Sequence, residues 1–182
     1  MNTYKPDIEA VKSRWADFWQ GNNSRPMLSA VIPRPGVKPV KQPAYASGHD
    51  GNFVPVIDQL EGWVETHEFL GEAIPFYYLE FGAVHISALL GADMIFANED
   101  EGGWAVPFVT DWKDTALAFQ RDGKWWRMTV DFAEAIKRRF GDNLMMASPT
   151  LTGNLDLLAA VRGTNELLLD MVDQPKLVQR AL

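Results

Sequence analysis

The sequence predicts an α/β fold with mostly parallel strands and a helix ahead of the first strand. Short apolar runs of strand length recur at Met27 to Ile32, Ile74 to Phe81, Asp93 to Ala97 and Leu144 to Ala147. Between them lie stretches whose apolar residues repeat at spacings of three and four, the signature of amphipathic helices. Strands that read as continuous apolar runs are buried on both faces, and strands alternating with helices pair in parallel beneath a helical cover.

Each element follows from its residues. Pro6 and Asp7 open a helix carrying Ile8, Val11, Trp15 and Phe18 on one stripe, which Trp19 widens and Gly21 with Asn22 stops. The first strand, Met27 to Ile32, is bounded by Pro26 and Pro33. Residues 33–51 then hold Pro33, Pro35, Pro39 and Pro43 with Gly36, Gly48 and Gly51, a density that no regular ladder survives. Long loops of this kind inside compact domains are functional or disordered. After Pro55 a second helical stripe runs through Ile57, Leu60, Trp63, Val64, His67 and Leu70 to Gly71. The strand Ile74 to Phe81 is followed by Gly82, a short helix from Ile86 to Leu90 and Gly91. Asp93 to Ala97 reads as a third strand, Asn98 to Gly103 as an acidic loop, and Trp104 to Val109 as a short extended segment. The helix from Lys124 to Phe140 has the clearest periodicity, with Trp126, Val130, Phe132, Ala133, Ile136 and Phe140 on or near one face. Leu144 to Ala147 is a compact strand closed by Ser148-Pro149; helices are predicted over Asp156 to Val161 and Thr164 to Val172, and a last one starts at Pro175. That last helix reaches Leu182 within two turns and has no Gly or Asn cap, so the chain is expected to end inside an element.

Composition narrows the function classes. Apolar residues make up 47% and aromatic residues 12%, enough to offset ordering entropy by burial, which excludes disorder. A net charge of −7 is the wrong sign for a nucleic-acid footprint. The basic cluster Lys137-Arg138-Arg139 falls in the last turn of a predicted helix, where cations complement the helix dipole. There is no cysteine, which removes disulfides and thiolate metal ligands. The N-terminus has no apolar stretch behind a basic start, and no run approaches the roughly 18 apolar residues of a membrane span, so a cytoplasmic protein without membrane contact is expected.

The stretch from Phe132 to Leu182 resembles the uroporphyrinogen decarboxylase superfamily. It has a helix, Gly141-Asp142, an apolar strand ending near a proline, then Arg162-Gly163, a Leu-rich helix and Asp173-Gln174-Pro175. The segment from Pro75 to Pro107 is similar to the same family: a strand, Ala88-Leu89-Leu90-Gly91-Ala92, a short strand, and then Trp104 and Pro107 before a long helix. The first helix with Trp15, Phe18 and Trp19, followed by Arg25-Pro26 and a strand, suits its longer members. The resemblance implies the N-terminal part of a (β/α)8 TIM barrel, with residues 1–26 as a helical lead-in and 27–182 as its first half. It also implies an active site at the strand C-termini. One branch of the family is a lyase that decarboxylates porphyrinogens such as uroporphyrinogen III without a cofactor. The other, a methyltransferase branch, moves methyl groups between corrinoids and thiols with zinc held in the C-terminal half, so no cofactor is expected within this chain. Implied partners are a tetrapyrrole, a corrinoid or a methylated small molecule, a corrinoid protein, and further copies of the chain.

Departures from the family pattern shift the expectation. The Arg-rich loop of the decarboxylases is reduced here to Pro33-Arg34-Pro35-Gly36. Their aspartate after the second strand corresponds to Gly82, with Glu80 two residues away, and their tyrosine after the strand ending at Pro149 is missing. The corrinoid-linked or an uncharacterised branch therefore fits better than porphyrinogen decarboxylation. A third reading is a half-barrel that binds a partner chain and catalyses nothing.

Polar residues beyond strand C-termini converge on the substrate of a barrel enzyme. That rule selects Arg34, Glu80, Glu99, Trp104, Ser148, Thr150 and Asn154. Glu80 is either a desolvated general acid or a structural carboxylate. Arg34 is either an anion clamp or a solvated side chain, and Glu99 with Asp100 and Glu101 either a cation site or plain surface. No pair of histidines has metal-ligand spacing; His67 reads as structural, and His49 in Ser47-Gly48-His49-Asp50-Gly51 is kept as an acid–base or binding residue.

Overall fold

The computed structural model describes residues 2–98, 102–113 and 115–182. Its elements run, in order, α1 (Ile8–Trp19), β1 (Ser29–Pro33), α2 (Val54–Thr66), β2 (His67–Gly71), β3 (Phe76–Tyr78), α3 (His85–Leu89), β4 (Met94–Asn98) and β5 (Gly102–Ala105). They continue with α4 (Lys124–Phe140), β6 (Met145–Ala147), α5 (Asn154–Arg162), α6 (Thr164–Asp173) and α7 (Pro175–Ala181). The chain divides into two compact units. One comprises residues 1–43, 52–77 and 133–147, the other 44–51, 78–132 and 148–182.

The first unit is built on a β-ribbon. β1 pairs antiparallel with β2, from Ser29↔Gly71 to Pro33↔His67. The ribbon forms because α2 stops early. Its apolar stripe (Val56, Leu60, Trp63 and Val64) is buried. Thr66 Oγ1 then donates to the Gly62 carbonyl at 2.7 Å, and His67 Nδ1 donates to the Trp63 carbonyl at 2.9 Å. These side-chain bonds compete with the continuing helix, and the backbone turns extended at His67 (φ −124°, ψ 157°). At the far end Gly71 has φ +60°, and a Cβ there would run into the Leu28 carbonyl, so only glycine closes the ribbon. β3 pairs with β6, and Met145 N–H donates to the Pro75 carbonyl at 2.9 Å.

Beneath the ribbon sits Glu72, 1% exposed. Arg14 Nε (2.7 Å), Arg25 Nη2 (2.5 Å) and the Leu28 backbone N–H (2.8 Å) all donate to its carboxylate. The Arg25 guanidinium and then the Leu28 N–H hold its pKa down to about 2, against the opposing effect of burial. The Trp15 indole N–H donates to the Glu72 carbonyl at 3.0 Å, tying α1 to the same point.

The second unit packs α5, α6 and α7 around Val109, Trp112, Leu158, Val161, Leu167 and Val178. Asp170 is buried there and accepts from Arg162 Nε at 2.6 Å and from the Trp112 indole at 2.7 Å. The Arg162 hydrogen bond lowers the Asp170 pKa. Arg162-Gly163, one of the pairs behind the family resemblance, thus has a structural task here. Arg162 anchors α6, and Gly163 takes φ +97° between the helices.

The fold corrects the sequence expectation. Among the described residues three two-stranded sheets replace a mostly parallel sheet, and β1–β2 and β4–β5 are antiparallel, so this is not the first part of a (β/α)8 barrel. Residues 67–71, assigned to a helix by their apolar spacing, are strand β2. β4 and β5 pair antiparallel, Met94↔Ala105, Ile95↔Trp104 and Phe96↔Gly103, while residues 99–101 of the expected acidic loop lie outside the described residues. The expected long strand Ile74 to Phe81 is regular only over Phe76–Tyr78. Apolar alternation reports burial but not strand direction, and direction is what a parallel assignment needs.

Candidate functional site

In the second unit Glu80 follows β3 and is 4% exposed. Both of its oxygens are held by one residue. Thr150 backbone N–H donates to Oε2 at 2.5 Å, and Thr150 Oγ1 donates to Oε1 at 3.2 Å. Thr152 Oγ1 adds a bond to the Ala83 carbonyl at 2.7 Å, so residues 150–152 are pinned along residues 80–83. Among the described residues no cation lies within ion-pair distance of Glu80. A buried carboxylate that accepts only neutral donors keeps unused lone pairs for a ligand N–H or cation.

The neighbouring hairpin carries an aromatic shelf. A Cβ on Gly103 would meet the Phe96 ring at 2.7 Å, so glycine opposite Phe96 lets that ring lie flat across β5. His49 stacks on this ring, 4.0 Å from the Phe96 centroid at 20°, and Phe96 in turn packs on Trp125 at 5.9 Å. Gly82, two residues past Glu80, comes within 3.6 Å of Gly103, measured from where its Cβ would be. The hairpin and the Glu80 segment are therefore direct neighbours. His49 Nδ1 lies 3.0 Å from the Ala46 carbonyl, which can only accept, so the proton is on Nδ1 and Nε2 carries the lone pair.

The remaining expected residues are scattered. Trp104 is half-exposed in β5, and Ser148 and Asn154 are exposed. Asn154 opens α5 with φ +54°, a left-handed conformation that asparagine tolerates better than most residues. Glu99, with Asp100 and Glu101, lies outside the described residues. Arg34 belongs to the first unit. Its backbone N–H donates to the Thr66 carbonyl at 2.9 Å, and its Nε is buried with no acceptor. His67 is in the same unit, its Nδ1 spent on Trp63.

Sequence reasoning passed over His85. It is fully buried, and burial lowers its pKa to about 4. Thr129 Oγ1 donates to the Trp125 carbonyl (2.8 Å), so at 3.0 Å from His85 Nε2 its oxygen accepts. The ring is a neutral imidazole whose Nδ1 lone pair is buried without a partner. The phenyl of Phe81 meets it edge-on at 5.4 Å. Nothing in the spacing of the histidines flags this position, because its burial and its Thr129 partner, forty-four positions on, are set by the fold.

Among the described residues no three His, Cys, Asp or Glu side chains gather as a metal site. No helix among them is long and apolar enough to cross a membrane. A scan against protein-family models finds no match, and searches of the curated proteins and of the solved structures likewise find none.

Proposed function

We propose that this protein acts on a corrinoid or related tetrapyrrole, in methyl transfer. The supporting observation is the Glu80–Thr150 pair. Two residues seventy positions apart, both selected from the sequence by their place beyond expected strand ends, meet around a buried carboxylate that has no ion-paired cation among the described residues. Such a group suits the side-chain amide N–H donors that fringe a corrinoid. The described residues do not form a zinc site, so no step is assigned to a metal of this chain.

A second reading, decarboxylation of a porphyrinogen, is favoured by Arg34. A guanidinium Nε–H buried without an acceptor carries an unrecovered desolvation cost, and a ligand carboxylate would relieve it. The two readings separate in one comparison. The purified protein is titrated with methylcobalamin and with uroporphyrinogen III, following the corrinoid spectrum and the loss of ligand carboxylates. Methyl transfer predicts a perturbed corrinoid spectrum that weakens at least tenfold in Glu80→Gln, with uroporphyrinogen III unchanged. Carboxylate loss that disappears in Arg34→Gln would select the second reading, and silence in both titrations would overturn both.

A further inference from the structure

We propose that the first unit holds a binding site for an uncharged, largely apolar small molecule that carries one hydroxyl or carbonyl group. The site is a cavity of about 460 Å³ bounded by α1, β1, β3, β6 and the residues that follow β2. Small-molecule pockets measure roughly 300–1,000 Å³ and combine apolar walls with a few polar groups that fix orientation. Every lining residue belongs to the first unit, whereas Glu80 and Thr150 belong to the second, so the inference does not rest on the corrinoid reading.

The walls are apolar and already fixed. Trp15, Val31, Ile74, Phe76 and Met145 line the cavity. The Trp15 indole N–H is held by the Glu72 carbonyl at 3.0 Å, Val31 is registered against Phe69 in the ribbon, and the Met145 N–H is bonded to the Pro75 carbonyl at 2.9 Å. A ligand therefore meets a surface with little left to order, which lowers the cost of binding. Val31 and Met145 are about half exposed, so apolar area remains to be buried.

The polar groups decide the ligand class. Two charged side chains line the cavity, and both are already paired. Glu72 is shared by Arg14, Arg25 and the Leu28 N–H, and Lys12 Nζ lies 2.8 Å from Glu9. A charged ligand would give up hydration and gain a counter-charge only by breaking one of these pairs. Ser29 differs: its side chain lines the cavity and makes no hydrogen bond among the described residues. A hydroxyl both donates and accepts, so it suits a single ligand hydroxyl or carbonyl.

The test uses three probes with one two-ring body: 2-naphthol, naphthalene and 2-naphthoate. Equilibrium dialysis against the full chain is run at neutral pH, where only the naphthoate is charged, and melting temperatures are recorded for every variant. 2-Naphthol is expected to bind saturably and at least tenfold more tightly than 2-naphthoate. Ser29→Ala should weaken 2-naphthol roughly two- to tenfold, the worth of one neutral hydrogen bond, and leave naphthalene unchanged. Val31→Trp fills the cavity from a half-exposed strand position and should weaken both neutral probes at least tenfold while melting as the parent does. If it melts early, Met145→Trp repeats the test from β6. Equal affinity for 2-naphthoate and 2-naphthol would overturn the inference, as would the absence of saturable binding by the neutral probes. So would 2-naphthol binding indifferent to Ser29→Ala, or probe binding that survives the filled cavity. Self-association that Val31→Trp abolishes in sedimentation equilibrium, with no probe bound by the parent, would give this face to a second copy of the chain and overturn it as well.

Discussion

Glu72 and Glu80 are eight residues apart, both buried, and chemically opposite. Glu72, in the first unit, is surrounded by the guanidinium groups of Arg14 and Arg25 and by the Leu28 N–H, so its charge is neutralised where it sits. Glu80, in the second unit, receives one backbone N–H and one hydroxyl from Thr150. Burying a carboxylate is costly unless it is paired, and the pairing at Glu72 is complete. At Glu80 the charge is held by neutral donors, and the remaining electrostatic demand is open to a ligand. Burial by itself therefore does not mark a functional carboxylate. The identity of the donors around it does.

The widest separation is expected from Glu72→Gln, which removes the buried carboxylate that Arg14, Arg25 and the Leu28 N–H share. Thermal melts should fall by on the order of 10 °C, a larger shift than for His85→Phe or Glu80→Gln. Acid titration reports the same group. Its folded pKa of about 2 lies below its ordinary value of 4.5. The unfolded chain therefore binds the extra proton first as pH drops, and stability is lost as pH falls from about 4.5 towards about 2. Glu72→Gln should flatten that limb; an unchanged limb would refute the assignment.

His85 sharpens the contrast at a higher pH. Its folded pKa, about 4, lies below the ordinary 6.5, so the folded state holds it neutral. Protonation of the unfolded chain removes stability as pH falls from 6.5 towards 4, and the full window is worth about 3 kcal/mol. His85→Phe should abolish the pH dependence of urea melts between those limits. If the dependence persists, the buried imidazole is not its source.

The smallest effect on stability is expected at Glu80. In Glu80→Gln the side-chain carbonyl still accepts from the Thr150 N–H, and the hydroxyl can turn to accept from the amide. The unfolding free energy should change by about 1 kcal/mol or less, while the corrinoid titration weakens as stated above. A loss as large as that of Glu72→Gln with ligand binding intact would make Glu80 a second structural carboxylate and erase the comparison.

Much of this chain follows from its sequence. Local periodicity determined the helices: Lys124–Phe140 has the bounds its apolar spacing predicts, and Pro175 opens α7 as a proline at a helix start does. The proline and glycine density of residues 33–51 predicted a loop, and no strand or helix forms between Pro33, which ends β1, and Val54. Strand–loop patterning also selected Glu80 and Thr150, which the fold then brought together. Tertiary structure decided the rest. Whether residues 67–71 continue a helix or start a strand depended on Thr66 and His67 bonding back into α2 and on β1 lying alongside. Strand direction depended on which chain segment came to the edge, a question alternation does not address. The charge state of Glu72 arises from Arg25 and Arg14, both more than forty positions away in sequence, and the neutrality of His85 from its burial. Local spacing encodes which residues share a face of one element; the electrostatics of a buried group depend on everything packed around it, and only the folded chain specifies that.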